Sequence, residues 1–469
     1  MRSKLVSLVK VIATIGPASS SSEIILAMAK EGVDGFRINF SHGTKEEWRE
    51  YVKIIRESED YVGRPLALEG DLQGPSIRVG SLLQPIPVSP GDIVIATLSD
   101  QVGLEEKVFP IPCRELFREI VRGDVIAMDD GMLKLEAIEV SEDHIAFKAL
   151  TPGTITSNKA IVVLGKEIEL PLLHEADMER LRFALSNDFN YIGLSYVRRA
   201  SDIEAIKILI RGFGGYAKVM SKIETRSAIA NLSEIVNCSD AILVARGDLG
   251  VHFPLERIPQ LQQMIVETCI RSGKPVALAT QLLTSMINSP SPTRSEMVDV
   301  VQAILEGIDM LILTGETAVG KYPVEAVKWL KRIIKTYEGQ VKPRRSPPPG
   351  DKKHEKFAYG VVELAENIDS KIAVFTKSGL TALRIARFRP KVKVYAASPN
   401  KRALRELSVI WGIEPLYVEA KDYSDGLDKT LNALVDQGKL VEGDVALLTY
   451  GLRDEPVHIV KIVQVTSKR

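Results

Sequence analysis

The chain has little cysteine, no long apolar run and no excess of charge of either sign. Its 469 residues contain three cysteines, Cys113, Cys238 and Cys269, which are widely spaced and form no CxxC or Cys/His cluster. This scarcity argues against a disulfide framework and against a zinc site. Lys plus Arg and Asp plus Glu each number 61. The balance argues against a general binder of nucleic acid or of acidic membranes.

Segments typical of membrane insertion or secretion are also lacking. No stretch reaches the ~18 uninterrupted apolar residues of a membrane span. The apolar residues after Arg2 and Lys4 are interrupted by Lys10 and end at Gly16 and Pro17, which leaves them too short for a signal peptide. We therefore expect a cytoplasmic protein without a membrane partner.

Short apolar runs, each closed by polar residues and followed by helical periodicity, are the main pattern of residues 1–340. The eight runs are Val9–Ile15, Gly35–Asn39, Pro65–Asp71, Tyr191–Ser195, Lys218–Lys222, Ala241–Ala245, Pro275–Ala279 and Met310–Leu313. Eight strand-helix units predict an α/β fold with a (β/α)8 TIM barrel. An open doubly wound sheet is the alternative, but it requires a Gly-rich turn such as GxGxxG, and no well-placed one occurs. Ser22 and Gly32 are expected to cap the first helix.

Two segments interrupt this pattern. Residues 76–159 are turn-rich and strand-like, which predicts a small β-barrel lid domain inserted after the third barrel strand. Residues 341–357 are rich in Pro and charge and predict a linker. We therefore divide the chain into barrel domain (1–75), lid (76–159), barrel domain (160–340) and a C-terminal α/β regulatory domain (341–469). Strands of that last domain are expected near Lys371–Phe375, Val392–Ala396 and Asp444–Thr449.

Charged side chains follow several predicted barrel strands, at the end of the barrel where active sites occur. Glu224 and Asp248 follow neighbouring strands and could share Mg²⁺, which favours one or two carboxylates plus phosphate oxygens. Lys222 and Arg37 are cations at the same mouth and suit a transferring phosphoryl group. Alternatively, each carboxylate pairs with a neighbouring cation, Glu224 with Lys222 and Asp248 with Arg246.

Smaller polar groups line the same mouth. The segment 246–250 has two glycines, Gly247 and Gly250, where backbone amides can approach a substrate carboxylate closely, although a plain turn explains the segment as well. Asn39, Ser41 and Asp71 offer short oxygen ligands for a second cation, although hydrogen-bonded loop caps explain each of them equally well. His42 is a candidate general acid or an ordinary loop histidine.

Several long motifs, taken together, resemble the pyruvate kinase family. They are ArgIleAsnPheSerHisGly (37–43), AspLeuGlnGlyProSerIleArg (71–78), SerLysIleGlu (221–224), AlaArgGlyAspLeuGlyVal (245–251), AlaThrGln (279–281), ProThrArgSerGlu (292–296) and LeuThrGlyGluThrAla (313–318). The resemblance continues through AspAspGly (129–131) and ThrLysSerGlyLeuThrAla (376–382). It implies transfer of phosphate from phosphoenolpyruvate to ADP, which gives pyruvate and ATP in the last step of glycolysis.

The resemblance also implies a role for each site residue. The substrate is expected to be bound by Arg37, Lys222, Gly247, Asp248 and Thr280. Of these, the residues expected to be catalytic are Arg37, Lys222 and Thr280. Divalent Mg²⁺ or Mn²⁺ is expected at Glu224 and Asp248. A monovalent cation, K⁺, is expected at Asn39, Ser41, Asp71 and Leu72. The nucleotide side is expected to contain Asn39, His42, Arg78 and Lys159.

Regulation and assembly are implied in the same way. A phosphorylated effector is expected at Thr376, Lys377, Ser378, Gly379 and Thr381, with Tyr450–Arg453 as a short second loop. A homotetramer is expected. Ser76 carries neither the Glu common in potassium-dependent members nor the Lys often found in potassium-independent ones, so the need for K⁺ stays open.

Two other functions compete with this interpretation. One is a metal-dependent enolpyruvate enzyme on the same barrel, an aldolase or lyase, with Lys222 as a Schiff-base nucleophile. The neighbouring Glu224 and Asp248 argue against the neutral lysine which that chemistry needs. The other is a catalytically inactive metabolite sensor, which has no need of the whole set of transfer residues.

Overall fold

The N-terminal part of the chain forms the first three strands of a barrel and two covering helices. The computed structural model describes residues 7–102, 107–129, 131–342, 348, 352–451 and 458–466. The first elements are β1 (Lys10–Ile15), α1 (Ser22–Glu31), β2 (Gly35–Asn39), α2 (Lys45–Val62) and β3 (Ala67–Leu72). The predicted strands and helices are confirmed here to within a few residues.

Helix α1 is capped one residue earlier than predicted. Ser21, not Ser22, has the extended backbone of an N-cap, and its side chain accepts a hydrogen bond from the Ile24 amide. That geometry lets a hydroxyl satisfy an amide of the first helical turn. Gly32 closes the helix in the left-handed conformation with φ of 103°, as predicted.

The inserted lid is a β domain with its own apolar core. Its elements are β4 (Ile77–Arg78), β5 (Ile86–Val88), β6 (Ile93–Thr97), β7 (Val108–Pro110), α3 (Arg114–Glu119), β8 (Val125–Met128), β9 (Leu133–Val140), β10 (His144–Ala149), β11 (Gly153–Ile155) and β12 (Ala160–Val163). Seven of these strands form one sheet in the order β4-β12-β8-β9-β10-β6-β7. Because β12 belongs to this sheet, the expected lid boundary at residue 159 is too early by at least the length of that strand.

The chain then returns to the barrel for five more strands. The elements are α4 (Glu175–Ser186), β13 (Tyr191–Leu194), α5 (Ala200–Gly212), β14 (Lys218–Ile223), α6 (Arg226–Ala230), α7 (Leu232–Cys238), β15 (Ala241–Ala245), α8 (Arg246–His252), α9 (Ile258–Ser272), β16 (Val276–Ala279), α10 (Arg294–Glu306), β17 (Met310–Leu313), α11 (Gly315–Ala318) and α12 (Pro323–Tyr337). Short 3-10 turns lie at Leu255–Arg257, Thr284–Ile287 and Glu338–Gln340.

The eight strands close into a parallel barrel in the order β1-β17-β16-β15-β14-β13-β3-β2. Inward-facing Ile12, Tyr191, Leu243 and Met310 contribute to its packed interior, while the outward faces join the helices in a larger core. The TIM barrel is confirmed. The alternative of an open doubly wound sheet is wrong, because β1 pairs with β2 on one side and with the last barrel strand, β17, on the other, which closes the sheet.

The C-terminal domain is a five-stranded sheet with helices. Its elements are α13 (Lys353–Asn367), β18 (Lys371–Phe375), α14 (Leu380–Ala386), β19 (Val394–Ser398), α15 (Lys401–Ser408), β20 (Ile413–Tyr417), α16 (Tyr423–Asp436), β21 (Val445–Gly451) and β22 (His458–Gln464). The order is β20-β19-β18-β21-β22, with β22 antiparallel to β21. Helix α13 begins inside the predicted linker, so a linker reaching residue 357 is wrong. Parts of that linker, residues 343–347 and 349–351, lie outside the described residues.

Buried polar contacts join this domain to the N-terminal end of the barrel. Arg389 binds both carboxylate oxygens of Asp309, at 3.0 and 2.5 Å. The Lys10 ammonium donates to the carbonyl of Ile413 at 2.7 Å. The two units are therefore fastened at the end of the barrel opposite the strand carboxyl ends. Over the described part of the chain, no helix is both long enough and apolar enough to span a membrane.

Candidate active site

Four of the predicted side chains meet in one buried cluster at the carboxyl ends of the barrel strands. The Lys222 ammonium lies 2.9 Å from Glu224 Oε1 and 3.4 Å from Asp71 Oδ1. The Arg37 guanidinium forms an ion pair with the other oxygen of Asp71. The strands that carry these residues are β2, β3 and β14, with Glu224 directly after β14. The structure thus brings together cations and carboxylates that are far apart in the sequence.

The cluster keeps its cations protonated. Burial alone lowers the pKa of Lys222, but Asp71 and Glu224 outweigh it, and the pKa lies above its usual value. Burial likewise opposes the charge of Arg37, yet Asp71 and Glu69 raise its pKa. Arg37 is also fixed by donating to Thr14 Oγ1 at 3.1 Å. Lys222 is therefore a charged group and not the neutral amine that a Schiff base requires.

Glu69 belongs to the site and escaped the sequence reasoning. It is 1% exposed, lies beside Arg37 in the register of β2 and β3, and its Oε1 is 4.0 Å from Arg37 Nε. Among the described residues, neither of its carboxylate oxygens has a hydrogen-bond partner. Burial raises its pKa to about 7. The signal that could have revealed it is the presence of a glutamate within the predicted buried strand AlaLeuGluGlyAspLeu, because a buried charge needs a partner.

Gly193 on β13 makes room for the acidic pair. A Cβ atom at this position would lie 2.8 Å from both Glu69 Oε1 and Asp71 Oδ1. Real Cβ atoms do not approach oxygens so closely, so any other residue would displace the carboxylates. Asp71 Oδ1 is buried and, like Glu69, has no hydrogen-bond partner among the described residues. These oxygens have ion-pair contacts with Lys222 and Arg37 but accept no hydrogen bond from the part of the chain that the structure describes, which fits a site that receives a cation or a substrate.

Glu224 and Asp248, which were predicted to share a divalent ion, lie close enough for Asp248 to raise the pKa of Glu224. Glu224 Oε2 accepts the Tyr196 amide at 2.8 Å, which fixes the side chain. Burial and the nearby Asp248 raise the pKa of Glu224 to about 7, although Lys222 opposes the shift. Such mutual repulsion is relieved by a divalent cation, so the donor set fits one.

One of the two alternative ion pairs is present, because Glu224 contacts Lys222 at 2.9 Å. Arg246 lies 2.6 Å from Asp299. No group of three or more His, Cys, Asp or Glu suited to a metal occurs in the part of the chain that the structure describes. A metal at Glu224 and Asp248 would therefore take its remaining oxygens from substrate and water.

Thr280 and Gly247 face each other across the ends of β15 and β16. The Gly247 amide donates to Thr280 Oγ1 at 3.0 Å. Thr280 has φ of 68°, a left-handed conformation that is costly for a β-branched residue. Arg246 holds this turn by donating to the carbonyls of Thr280 and Gln281, at 3.1 and 2.8 Å. These bonds hold the strained turn, in which the Thr280 hydroxyl lies beside the Gly247 amide.

The oxygens predicted for a monovalent cation are partly engaged. Asn39 Oδ1 accepts the Ser41 amide at 3.0 Å, the loop-cap arrangement considered as the alternative. The Leu72 carbonyl accepts the Ser195 hydroxyl at 2.8 Å. Asp71 lies opposite Asn39 in the strand register. The donor set suits K⁺ in chemistry, with Asp71 as its charged member.

The four nucleotide candidates fall into two groups. Asn39 is the last residue of β2 and His42 lies in the loop after it, where His42 is exposed. Arg78 and Lys159 lie together at the edge of the lid, because β4 pairs with β12. Arg78 donates to the Asn158 carbonyl at 2.9 Å, and Lys159 lies 2.5 Å from Asp129. Asp130, the second residue of the AspAspGly motif, lies outside the described residues.

The predicted effector loop follows β18 in the C-terminal domain. Thr376 is buried and its hydroxyl accepts the Gly379 amide at 3.0 Å. Lys377 and Ser378 are exposed and Thr381 is half-buried. Of the second predicted loop, Leu452 and Arg453 lie outside the described residues.

Comparison with known proteins decides the family. Residues 6–327 match the family model described as pyruvate kinase, barrel domain, and residues 355–463 match pyruvate kinase, alpha/beta domain. The chain belongs to the pyruvate kinase family. A pyruvate kinase of Pyrobaculum aerophilum is 40% identical over 97% of this chain and 96% of its own length. One of Aeropyrum pernix is 36% identical over 97% of this chain and 98% of its own.

A solved structure gives the same result. The crystal structure of pyruvate kinase from Pyrobaculum aerophilum superposes with a TM-score of 0.88, covering 97% of this chain and 99% of the other at 40% identity. The chain is therefore a phosphotransferase of glycolysis that acts on phosphoenolpyruvate and ADP with a divalent metal. The comparisons support this activity and support neither the lyase nor the sensor.

Proposed function

We propose that the buried cluster of Arg37 and Lys222 holds the phosphoryl group during its transfer from phosphoenolpyruvate to ADP. The observation that carries this proposal is the position of Lys222, whose ammonium lies within 3.4 Å of both Asp71 and Glu224 and stays charged despite burial. Phosphoryl transfer needs positioning and charge neutralisation more than a covalent nucleophile. A fixed cation in a buried site meets that need.

The proposed divalent ion is Mg²⁺ or Mn²⁺, held by Glu224 and Asp248. When bound, it would neutralise charge on the substrate oxygens. The Gly247 amide and the Thr280 hydroxyl lie side by side, joined by a hydrogen bond of 3.0 Å. The substrate carboxylate would replace the Thr280 oxygen as acceptor of the amide and would accept from the Thr280 hydroxyl. The Thr280 hydroxyl is also our candidate for delivering the proton to the enolate carbon after transfer.

We assign the nucleotide side to Asn39, His42, Arg78 and Lys159. Two of these residues lie on the lid and two on the barrel, so closure of the lid would bring them to one ligand. A closed lid also excludes water, which protects the transferring group from hydrolysis. We propose that the lid runs from β4 to the end of β12 at Val163, between the two parts of the barrel, and that the C-terminal domain begins with α13.

A monovalent cation, K⁺, is proposed at Asp71 with Asn39, Ser41 and the Leu72 carbonyl. Ser76 Oγ accepts Arg78 Nε at 3.0 Å, so this residue is engaged with the lid. Asp71 supplies the negative charge that the cation needs, which supports binding even without Glu at position 76.

We further propose a homotetramer in the cytoplasm and a phosphorylated effector at Thr376, Lys377, Ser378, Gly379 and Thr381. The exposed hydroxyl of Ser378 and the nearby backbone amides support the effector site. Substitution of Ser378 and Thr381 by leucine should abolish activation by such an effector, and retained activation would place its site elsewhere.

Pyruvate formation from phosphoenolpyruvate and ADP tests the proposal. We expect activity with Mg²⁺ and its loss on chelation, in the unaltered chain. Parallel assays with and without K⁺ test the monovalent site, for which we expect higher activity with K⁺. Equal rates in both arms would remove K⁺ from the proposal, and no pyruvate from folded protein would refute the assignment of the cluster.

A further inference from the structure

Four hydrogen bonds link helix α4 of the barrel to Arg78 at the base of the lid. Arg180 Nη1 donates to Asp177 Oδ1 at 2.9 Å and to Gln73 Oε1 at 3.3 Å. Gln73 Nε2 donates to Ser76 Oγ at 3.4 Å, and Arg78 Nε donates to the same oxygen at 3.0 Å. We call these five residues the α4 network. It crosses from the barrel to the lid through the loop that connects β3 to β4.

The donors and acceptors of the α4 network fix the direction of each side chain. A guanidinium only donates hydrogen bonds, so Gln73 must present its amide oxygen to Arg180 and its amide nitrogen to Ser76. The Ser76 oxygen has two lone pairs and accepts from both Gln73 and Arg78. Both ends of the Gln73 amide are therefore in use. Methionine, which has a similar length and no amide, would lose both bonds.

The barrel end of the α4 network is held by a shielded ion pair. The Asp177 side chain is 1% exposed and the Arg180 side chain is 19% exposed. Asp177 lies in the first turn of α4, where a negative charge is favourable. An ion pair shielded from water is screened less by salt than an exposed one. The pair therefore holds the Arg180 guanidinium against the loop between β3 and β4.

That loop is tightly folded, so a movement of Gln73 reaches Ser76. The Ser76 amide donates to the Gly74 carbonyl at 2.9 Å. Gly74 has φ of 68°, and a Cβ atom there would lie 2.9 Å from Ser195 Cβ. Only glycine fits so close to the barrel with this backbone. The loop therefore has little freedom to separate its two polar side chains.

Arg78 is oriented by acceptors that carry no charge. Besides Ser76 Oγ, it donates to the Asn158 carbonyl at 2.9 Å. Burial raises the pKa of Tyr196 at the active site, and Lys222 and Arg78 oppose this rise. The charge of Arg78 therefore acts at the active site, and neither of its two acceptors neutralises it. Such a guanidinium is suited to the phosphates of a nucleotide.

We propose that Arg180 and Gln73 are positioning residues for the nucleotide, because they hold Arg78 in the orientation that meets the phosphates of ADP. This inference rests on the proposed function, in which Arg78 lies on the nucleotide side. Arg180 is separated from Arg78 by two side chains and acts through them. Because Arg180 belongs to the barrel and Arg78 to the first lid strand, the α4 network fixes Arg78 relative to the barrel.

Steady-state kinetics of Arg180→Met and Gln73→Met test this proposal, with ADP and phosphoenolpyruvate varied separately. We expect KM for ADP to rise roughly three- to tenfold in each variant, as for a lost hydrogen bond. We expect kcat and KM for phosphoenolpyruvate to change less than about twofold. Arg182→Met removes an exposed arginine of the same helix and is the matched control, with both KM values unchanged. Should Arg180→Met not fold, Gln73→Met still tests the proposal, because it leaves the ion pair of Arg180 with Asp177 in place.

A double-mutant cycle shows whether these residues act through one another. Ser76→Ala removes the acceptor that faces Arg78, so adding Arg180→Met to it should raise KM for ADP no further. Effects that multiply would overturn the proposal, because Arg180 would then act independently of Ser76. An unchanged KM for ADP in Gln73→Met, or equal rises in KM for both substrates, would also overturn it.

Arg78→Met distinguishes failure of this proposal from failure of the proposed function. We expect this variant to raise KM for ADP at least as much as Gln73→Met does. A raised KM in Arg78→Met with unaltered constants in Gln73→Met would overturn the positioning role alone. An unchanged KM for ADP in Arg78→Met would refute the assignment of Arg78 to the nucleotide side, and the positioning role with it.

Discussion

The two ends of the barrel both bury carboxylates. Within the described part of the chain, the carboxylate oxygens accept hydrogen bonds at one end, whereas several of them lack such bonds at the other. At the N-terminal end, the Asp309 carboxylate accepts hydrogen bonds from both terminal nitrogens of Arg389 and from the amides of Val276 and Trp411. At the carboxyl end, the Glu69 oxygens and Asp71 Oδ1 have no hydrogen-bond partner among the described residues. Buried polar groups are normally satisfied. The carboxylate oxygens without hydrogen bonds at the carboxyl end are therefore suited to a ligand, whereas the hydrogen-bonded carboxylate of Asp309 holds the domains together.

The largest effect is expected from Lys222→Met at the carboxyl end. Removal of a cation that acts on the transferring group should lower kcat about a thousandfold, while substrate affinity stays largely intact. Steady-state assays of pyruvate formation check this. Lys45→Met, which breaks an exposed pair with Glu179, is the control and should keep full activity. Normal turnover in Lys222→Met would exclude Lys222 from the mechanism.

Arg389→Met should have the largest effect on stability. The substitution leaves Asp309, which is 0% exposed, as an uncompensated buried charge, and such a loss costs about 3–5 kcal/mol. Thermal unfolding measures the change. The control is Arg199→Met, which breaks an exposed pair with Glu169 and should cost less than about 1 kcal/mol. Equal unfolding temperatures for the two variants would mean that Arg389 does not fasten the domains.

Lys10 predicts a pH dependence at the N-terminal end. Its pKa is lowered to about 8 in the folded state, chiefly by burial, from a usual value of 10.5. Between these values the unfolded chain binds more protons, so stability should rise with pH by at most ~3 kcal/mol. Unfolding temperatures between pH 8 and 10.5 measure the rise. Lys10→Met should lack it, and an identical pH slope in both proteins would contradict the account.

Glu69→Gln should have a smaller effect at the carboxyl end. Glu69 contributes to the charge around Arg37, so its neutralisation should loosen Arg37 and raise KM for phosphoenolpyruvate roughly tenfold, with a lesser change in kcat. Glu179→Gln, an exposed substitution, is the comparison and should change neither constant. Unaltered KM in Glu69→Gln would show that Asp71 and Thr14 position Arg37 without help.

The sequence predicted the barrel because the barrel depends on local patterns, and the same patterns located the charged residues that meet at its mouth. The roles expected of those residues came from the resemblance to the family. An apolar run predicts each strand. The residue after the run lies at the mouth of the barrel, and this placement does not depend on how the side chains pack. The end of the lid was misplaced because strand β12 pairs with β4, more than 80 residues earlier. Ser21 was missed as a cap because two adjacent serines offer the same hydroxyl, and only the backbone angles distinguish them.

Pairs formed over long distances could not be predicted. Arg389 and Asp309 are 80 residues apart, and nothing in either neighbourhood indicates the other. Glu69 lay within a correctly predicted strand, but its direction toward Arg37 depends on the register between β2 and β3.

The most direct test of the contrast between the two ends is to measure kcat and the unfolding temperature together for Glu224→Gln and Arg389→Met. Burial already favours the neutral form of Glu224, since its pKa is raised to about 7. Asp71 also remains as an ion-pair partner of Lys222 at 3.4 Å. We therefore expect Glu224→Gln to lose at least about a hundredfold in kcat, with a much smaller fall in unfolding temperature than Arg389→Met. Arg389→Met should lose stability but keep its rate well below its unfolding temperature. Parallel loss of rate and stability in both variants would contradict the account.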